Sequence, residues 1–347
     1  MNIPLCRLIM SIFVFALCLK FPLAGKAEKP PEQDEKYNLA AKLIQDHLFT
    51  QEINESKTWE MTLMKGLSNY NYRVSSSLGE FFVRLGGENF SSSLGIDRVK
   101  EYAIYQRLKE DKITPELIYF DCVNGNLISS FISGTHYGKV RGKWLYEKES
   151  SIANMINLMK KYHKHTSSLE EEIDYPFEII QKYLEKAHQL SVALPQDMDE
   201  VINIVQKIKL SLPSQPKVLC HQDLFPTNFI YDGEKLYLID WEYAHWSDPF
   251  YDLASLCVQN QFDREEKEIA LTSYFGLATS QHKTHLEMMC MLYSMRSALW
   301  CFNQNQNMAD KSFDFLKLAN MHYNNFFISY RWLLNEMGEF SISNCRF

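Results

Sequence analysis

The chain has 347 residues, 46% hydrophobic and 14% aromatic, enough to bury a sizeable core in two coupled lobes. A formal net charge of −7 and a pI near 5.8 exclude a general nucleic-acid binder, whose phosphate contacts need a basic face. The eight cysteines, at 6, 18, 122, 220, 257, 290, 301 and 345, form no Cys-x-x-Cys, which suits buried free thiols in a reducing compartment better than a disulfide framework or a zinc site.

At the N-terminus, residues 8–19 are almost wholly apolar, with Arg7 before them and Ala24, Gly25 and Ala27 after them. That is the outline of a secretory signal peptide, and it is too short for a confident membrane-spanning helix. Membrane contact, where it occurs, is expected through residues 5–23. Residues 26–36 are charged and contain two prolines, so 1–36 reads as a hydrophobic leader and linker, with the folded chain starting near Tyr37.

Residues 62–74 read as strand, tight turn, strand, with Gly66 and Ser68-Asn69 at the turn. Glu80 to Leu85 alternates like a strand, and 97–108 is a helical run containing Glu101. Glu116 to Phe120 and Leu127 to Gly134 flank an Asn-Gly-Asn turn and make a hairpin. Beyond it the chain is mostly helical: 151–163 carries apolar residues at 152, 155, 156, 159 and 162, and further helices are expected near 178–190, 197–210, 264–275, 282–304 and 310–334.

The most informative stretch is His221-Gln222-Asp223-Leu224-Phe225-Pro226-Thr227-Asn228, followed by Ile239-Asp240-Trp241-Glu242. Phosphoryl transfer from ATP needs a group that accepts the proton of the attacking hydroxyl, and oxygen ligands that hold Mg²⁺ against the phosphates. Asp223 suits the first task; Asn228 and Asp240 suit the second. An Asp, four residues, an Asn, then a strand ending in Asp is the layout of the protein-kinase catalytic loop and metal Asp. Here His-Gln-Asp stands for His-Arg-Asp, and the missing arginine points to a small-molecule kinase.

With Asp248-Pro249-Phe250-Tyr251-Asp252-Leu253-Ala254, these residues resemble the choline/ethanolamine kinases, in particular the bacterial choline kinase-like branch of the aminoglycoside phosphotransferase and protein-kinase-like superfamily. The resemblance implies an α+β, two-lobe, protein-kinase-like fold: an N-lobe (37–133) with an antiparallel sheet and a helix, and a mostly helical catalytic and substrate-binding C-lobe (134–340). It makes Gly66, Ser68 and Asn69 the nucleotide loop, with Lys65 where the family often has a first glycine. It puts Arg84 on the phosphates, held by Glu101, and the adenine at a hinge that includes Phe131 and Ile132. It gives a cationic alcohol to Glu242, Tyr243, Trp246 and Trp300, while His221 and Asp252 are structural, Asp252 as a brace for the loop.

The function expected is ATP- and Mg²⁺-dependent phosphorylation of the hydroxyl of choline or ethanolamine. The alternatives are a kinase of thiamine, an aminoglycoside or a sugar, and an inactive kinase-like binding protein. Because a kinase needs ATP, the chain is expected in the cytoplasm, held there by an uncleaved leader or anchor or by a later start of translation; export by a signal peptide is the competing reading.

Overall fold

The computed structural model describes residues 35–49, 59–64, 69–86, 95–140, 142–166, 176–307 and 313–337. The leader and most of the linker, together with Lys65, Gly66 and Ser68 of the expected nucleotide loop, lie outside them. The chain forms two compact units. One takes the residues up to Lys143 and then Thr227–Ala244; the other takes Trp144–Pro226 and His245 onward.

In the first unit, β1 (Trp59–Met64), β2 (Tyr70–Ser76), β3 (Gly79–Leu85), β4 (Leu117–Phe120) and β5 (Leu127–Ser130) form an antiparallel sheet in the order β1-β2-β3-β5-β4. Helix α1 (Glu35–His47) buries Ala40, Leu43 and Ile44, one helical stripe, against Met61, Tyr72, Val74, Val83, Leu85 and Ile128. Successive strand residues point to opposite faces. Val83 and Leu85 therefore serve this core, while Arg84 between them turns to the other face, towards α2 (Arg98–Leu108). Asp97 caps α2, accepting from Lys100 N, and the buried stripe of that helix is Arg98, Glu101, Ile104, Tyr105 and Leu108.

The sequence reads 127–134 as one strand, but β5 ends at Ser130. Phe131 N still donates to Glu80 O at 3.0 Å. The chain then departs to β6 (Thr135–His136), which pairs with β10 (Phe229–Tyr231); β11 (Leu236–Leu238) completes a β11-β10-β6 sheet. The short strands β7 (Lys139–Val140) and β8 (Lys143–Trp144) follow β6. Gly134 makes the departure possible, since a Cβ there would lie 2.4 Å from Tyr231 O.

The second unit holds α3 (Lys148–Tyr162), α4 (Phe177–Gln189), α5 (Met198–Ser211), α6 (Pro249–Gln259), α7 (Arg264–Phe275), α8 (Ser280–Asn307) and α9 (Phe315–Met337). The apolar positions read for α3, Ile152, Met155, Ile156, Met159 and Tyr162, are all buried. Helix α8 runs through the middle, packed by α4, α6 and α9. A two-stranded ladder joins β9 (Val218–Cys220) to β12 (His245–Ser247), so the residues just before and just after the segment 221–244 are hydrogen-bonded to each other. Cys220, Cys257, Cys290 and Cys301 are buried free thiols, and Cys122 is a half-buried one. No helix among the described residues is long and apolar enough to cross a membrane.

Replacing Gly134 by Ala forces a methyl group against a backbone carbonyl. Gly134→Ala is expected to lower stability by about 1–3 kcal/mol, read as a fall in the thermal midpoint.

Candidate active site

The loop that carries Asp223 is held residue by residue on α6. Pro249 at the first turn and the Asp248 side chain, which accepts from Phe250 N at 2.8 Å, start that helix. Asp252, fully buried, accepts from His221 N at 2.9 Å and from Gln222 N at 2.7 Å. Ser255 Oγ accepts from Leu224 N at 2.9 Å, and Asn260 Nδ2 donates to Leu224 O at 3.3 Å. His221 Nδ1 in turn accepts from Asp223 N at 3.2 Å. These bonds hold Gln222 at a φ of 67°, a left-handed conformation unusual outside glycine.

Two further donors reach Asp252: Tyr162 OH at 2.7 Å and His163 Nε2 at 3.1 Å, both to Oδ2. A carboxylate only accepts, so Nε2 is the protonated nitrogen there. Burial by itself raises the Asp252 carboxyl, but His163, through its hydrogen bond and then its charge, and the Tyr162 hydroxyl bring it below its ordinary value. Cys220, His163 and Asp252 place potential ligand atoms within 4.8 Å of one another. The carboxylate is already occupied by donors, and burial followed by the nearby Asp252 charge keeps the Cys220 thiol protonated, so the trio works as a hydrogen-bonded brace.

In the first unit four charged side chains, each at most 4% exposed, form one cluster. Arg84 Nη1 and Nη2 donate to Glu101 Oε1 and Oε2 at 2.8 and 3.0 Å, the parallel two-bond geometry open to a guanidinium, and Arg84 Nε donates to Gly125 O at 3.0 Å. Arg98 Nη1 donates to Glu101 at 2.7 Å and to Glu242 Oε2 at 3.1 Å. Asn69 Nδ2 reaches the same Glu242 oxygen at 3.3 Å, and Arg84 Nη1 lies 3.8 Å from it. Only glycine fits at 125, where φ is +75° and a Cβ would stand 2.3 Å from Arg98 Nε. Burial alone would lower the Arg84 guanidinium, but Glu101 and then Glu242 hold it fully charged.

Asn228 and Asp240 sit at the open end of the β10–β11 hairpin. Phe229 pairs with Leu238 and Ile239 N donates to Asn228 O at 3.0 Å, so Asn228 has Ile239, eleven residues on, as its cross-strand neighbour, and Asp240 follows directly. Asp240 has a φ of 68°, and fully buried Trp241 anchors the turn by donating from Nε1 to Leu238 O at 3.0 Å. The Tyr105 phenol is raised by burial and by Glu101, with Asp240 and Glu242 adding to it, so Asp240 shares the field of the arginine cluster. A carboxylate and a carboxamide are hard oxygen donors of the kind Mg²⁺ takes while keeping waters and phosphate oxygens.

At the expected hinge, the Phe131 amide is used in the sheet and its ring lies 4.7 Å under the Arg73 guanidinium; Ile132 is half-buried. Of the residues named for the ammonium, Glu242 is in the arginine cluster and Tyr243 is half-buried. In the second unit, Trp246 on β12 pairs with Leu219 on β9, and Trp300 packs edge-on against Phe315, 5.8 Å between ring centres. Sequence reasoning passed over Arg98, Tyr162, His163 and Gln259. Arg98 had a signal, standing three residues before Glu101 on one helix face, and so did Gln259, seven residues after Asp252.

The architecture is α+β and protein-kinase-like. The crystal structure of choline kinase LicA from Streptococcus pneumoniae shares it, with a TM-score of 0.68 at 22% identity over 87% of this chain and 100% of that one. Residues 61–283 match the model of the phosphotransferase enzyme family, more than half of the chain, and the chain belongs to that family. Ethanolamine kinase 2 of Mus musculus is 26% identical over 273 residues, 71% of this chain and 68% of that protein. Protein LicA of Haemophilus influenzae is 32% identical over 68 residues, 20% of this chain and 26% of that protein, so the match spans about a quarter of that relative's length.

The lowered Asp252 carboxyl has a pH consequence. Its stabilising effect is complete above the ordinary aspartate range and is lost as pH falls through the lower native value. Asp252→Asn is expected to cost about 3 kcal/mol at neutral pH, because an amide N–H then faces buried donors. Denaturant melts of this variant between about pH 2 and 5 are expected to depend less on pH than those of the wild type.

Proposed function

We propose that this protein is a Mg²⁺- and ATP-dependent kinase that phosphorylates the hydroxyl of a small amino alcohol, choline or ethanolamine. The observation that carries the reading is the buried Arg84–Glu101 pair, a guanidinium held by both nitrogens on the sheet of a phosphotransferase-family chain. Such a group, pre-oriented and fully charged, is what a transferring phosphate requires.

Asp223 accepts the proton of the attacking hydroxyl, and Asn228 with Asp240 holds Mg²⁺. Bound Mg²⁺ supplies charge neutralisation between the nucleotide phosphates. Residues 66–69 approach those phosphates, and the backbone around Phe131 and Ile132 receives the adenine; with the Phe131 N–H used in the sheet, the donor falls to the residues after it. Tyr243, Trp246 and Trp300 supply aromatic faces for the ammonium. Glu242, already shared by two guanidiniums and a carboxamide, ties the Asp240 segment to α2 and leaves the cation to the rings. The substrate partners are small molecules, and the cytoplasm, where ATP is available, is the proposed location.

One observation favours a second acceptor class. Arg296 is 5% exposed and lies four residues before Trp300, one turn away on α8, and its charge adds to burial in pushing the His322 imidazole down to about 4. A fixed positive charge so close to Trp300 suits a neutral polyhydroxy acceptor, such as a sugar, better than a quaternary ammonium.

ADP release with Mg-ATP and a panel of choline, ethanolamine, thiamine, aminoglycosides and sugars tests both readings. Turnover with the amino alcohols alone is the expected result, turnover with a neutral sugar selects the second reading, and no acceptor-dependent release rejects both. Asp223→Asn and Asp240→Asn are each expected to lower kcat by about 10²-fold or more without unfolding the chain. Near-wild-type turnover in either variant removes that residue's assigned role.

A further inference from the structure

We infer that Glu80 and Ser133, with Arg73, form a clasp that presets the segment 131–134 for the nucleotide base, Glu80 and Ser133 acting as positioning residues; this rests on the proposed reading that the backbone around Phe131 and Ile132 receives the adenine. On β2 and β3, Val74 and Phe81 point to the α1 core, so Arg73, Ser75 and Glu80 share the opposite face, the one that carries Arg84. There Arg73 donates to Glu80 Oε1 from Nε at 3.1 Å and also from Nη2, and Ser75 Oγ donates to the same oxygen at 3.3 Å. Glu80 Oε2 accepts from Ser133 Oγ at 2.8 Å. Phe131 N donates to Glu80 O at 3.0 Å, and the Phe131 ring lies 4.7 Å from the Arg73 guanidinium. One residue of β3 thus holds the segment by its backbone at 131 and by its side chain at 133, with Ile132 between two fixed neighbours.

Residues 131–134 lie between β5 and β6 and belong to neither strand, so no ladder orders them. A base that is read by backbone groups needs those groups already in place, because any ordering done at binding is subtracted from the affinity. Hydrogen bonds from Arg73 and then from Ser133 hold the Glu80 carboxyl below its ordinary value, so it is an ionised acceptor at neutral pH. The same carboxylate orients the Arg73 guanidinium over the Phe131 ring, where cation–π attraction fixes the ring in turn. The Arg73 and Glu80 side chains are 43% and 34% exposed, and an ion pair so exposed adds little to stability. Its effect therefore falls on the segment it holds and hardly on the fold. One face of β3 then carries Arg84, for the phosphates, near one end and Glu80, for the base, near the other.

The test measures Kd by titration calorimetry for Mg-ATP and for inorganic triphosphate with Mg²⁺, which has no base, in the full chain as wild type and as Glu80→Ala, Ser133→Ala and Ser133→Thr. Both alanine variants are expected to weaken Mg-ATP about 3- to 10-fold, the range of one ordinary side-chain hydrogen bond, while inorganic triphosphate and the thermal midpoint stay at their wild-type values. Ser133→Thr keeps the hydroxyl and is expected to match wild type. If wild type binds Mg-ATP more tightly than inorganic triphosphate and the alanine variants keep the same margin, this inference alone is overturned. Equal weakening of both ligands also overturns it, since a merely structural role predicts that result. A wild type that binds the two ligands equally removes the adenine reading beneath the clasp, and the clasp with it.

Discussion

A single buried carboxylate organises the catalytic loop. Asp252 has no exposed surface, and an ion in that position is tolerable only when its oxygens are filled by donors. Two of those donors are the amides of His221 and Gln222, which no regular strand or helix pairs, and two are the Tyr162 hydroxyl and the His163 imidazole of the α3 region. The desolvation of the carboxylate and the strained backbone of Gln222 therefore offset each other: the loop supplies donors the acid needs, and the acid holds a conformation that the loop would not keep alone. Ser255, Gln259 and Asn260 extend the same arrangement along α6, so the position of Asp223 is set by one rigid helix.

The first unit uses the opposite device, a cluster in which two guanidiniums share two carboxylates. Arg84 alone would be an unpaired buried cation on a sheet; Glu101 from α2 neutralises it and fixes its plane. Arg98 then carries the network from α2 to Glu242, two residues past Asp240. The segment bearing Asp240 is thus tied to the same helix that orients Arg84, while the β10–β11 register brings Asn228 beside Ile239. Each tie is short and directional, so a displacement of α2 would disturb Arg84 and the Asp240 segment together.

Much of this was legible in the amino-acid sequence because it is local. Period-two alternation located β3, and apolar spacing located α3 and the later helices to within a few residues, since these patterns follow from where side chains point on a regular backbone. The helix α1 went unread, although Ala40, Leu43 and Ile44 carry a helical spacing, because the charged segment before it suggested a linker. The segment 127–134 looked like one strand because nothing local records that Gly134 must pass beneath the Tyr231 carbonyl.

By itself the sequence determined the chemical inventory and its order: a carboxylate five residues before a carboxamide, a second carboxylate after the next strand, and an aspartate in the first turn of a capped helix. Those are properties of residue type and spacing along one chain. Only the tertiary structure decided what each charge meets. Arg98 and Glu242 are 144 residues apart and Gln259 and Asp223 are 36 apart, and neither pairing has a periodicity to announce it. Whether Glu242 faces a substrate cation or two arginines depends on which groups the fold buries around it, because in a dry interior an ionised group is held by the partners within hydrogen-bond reach.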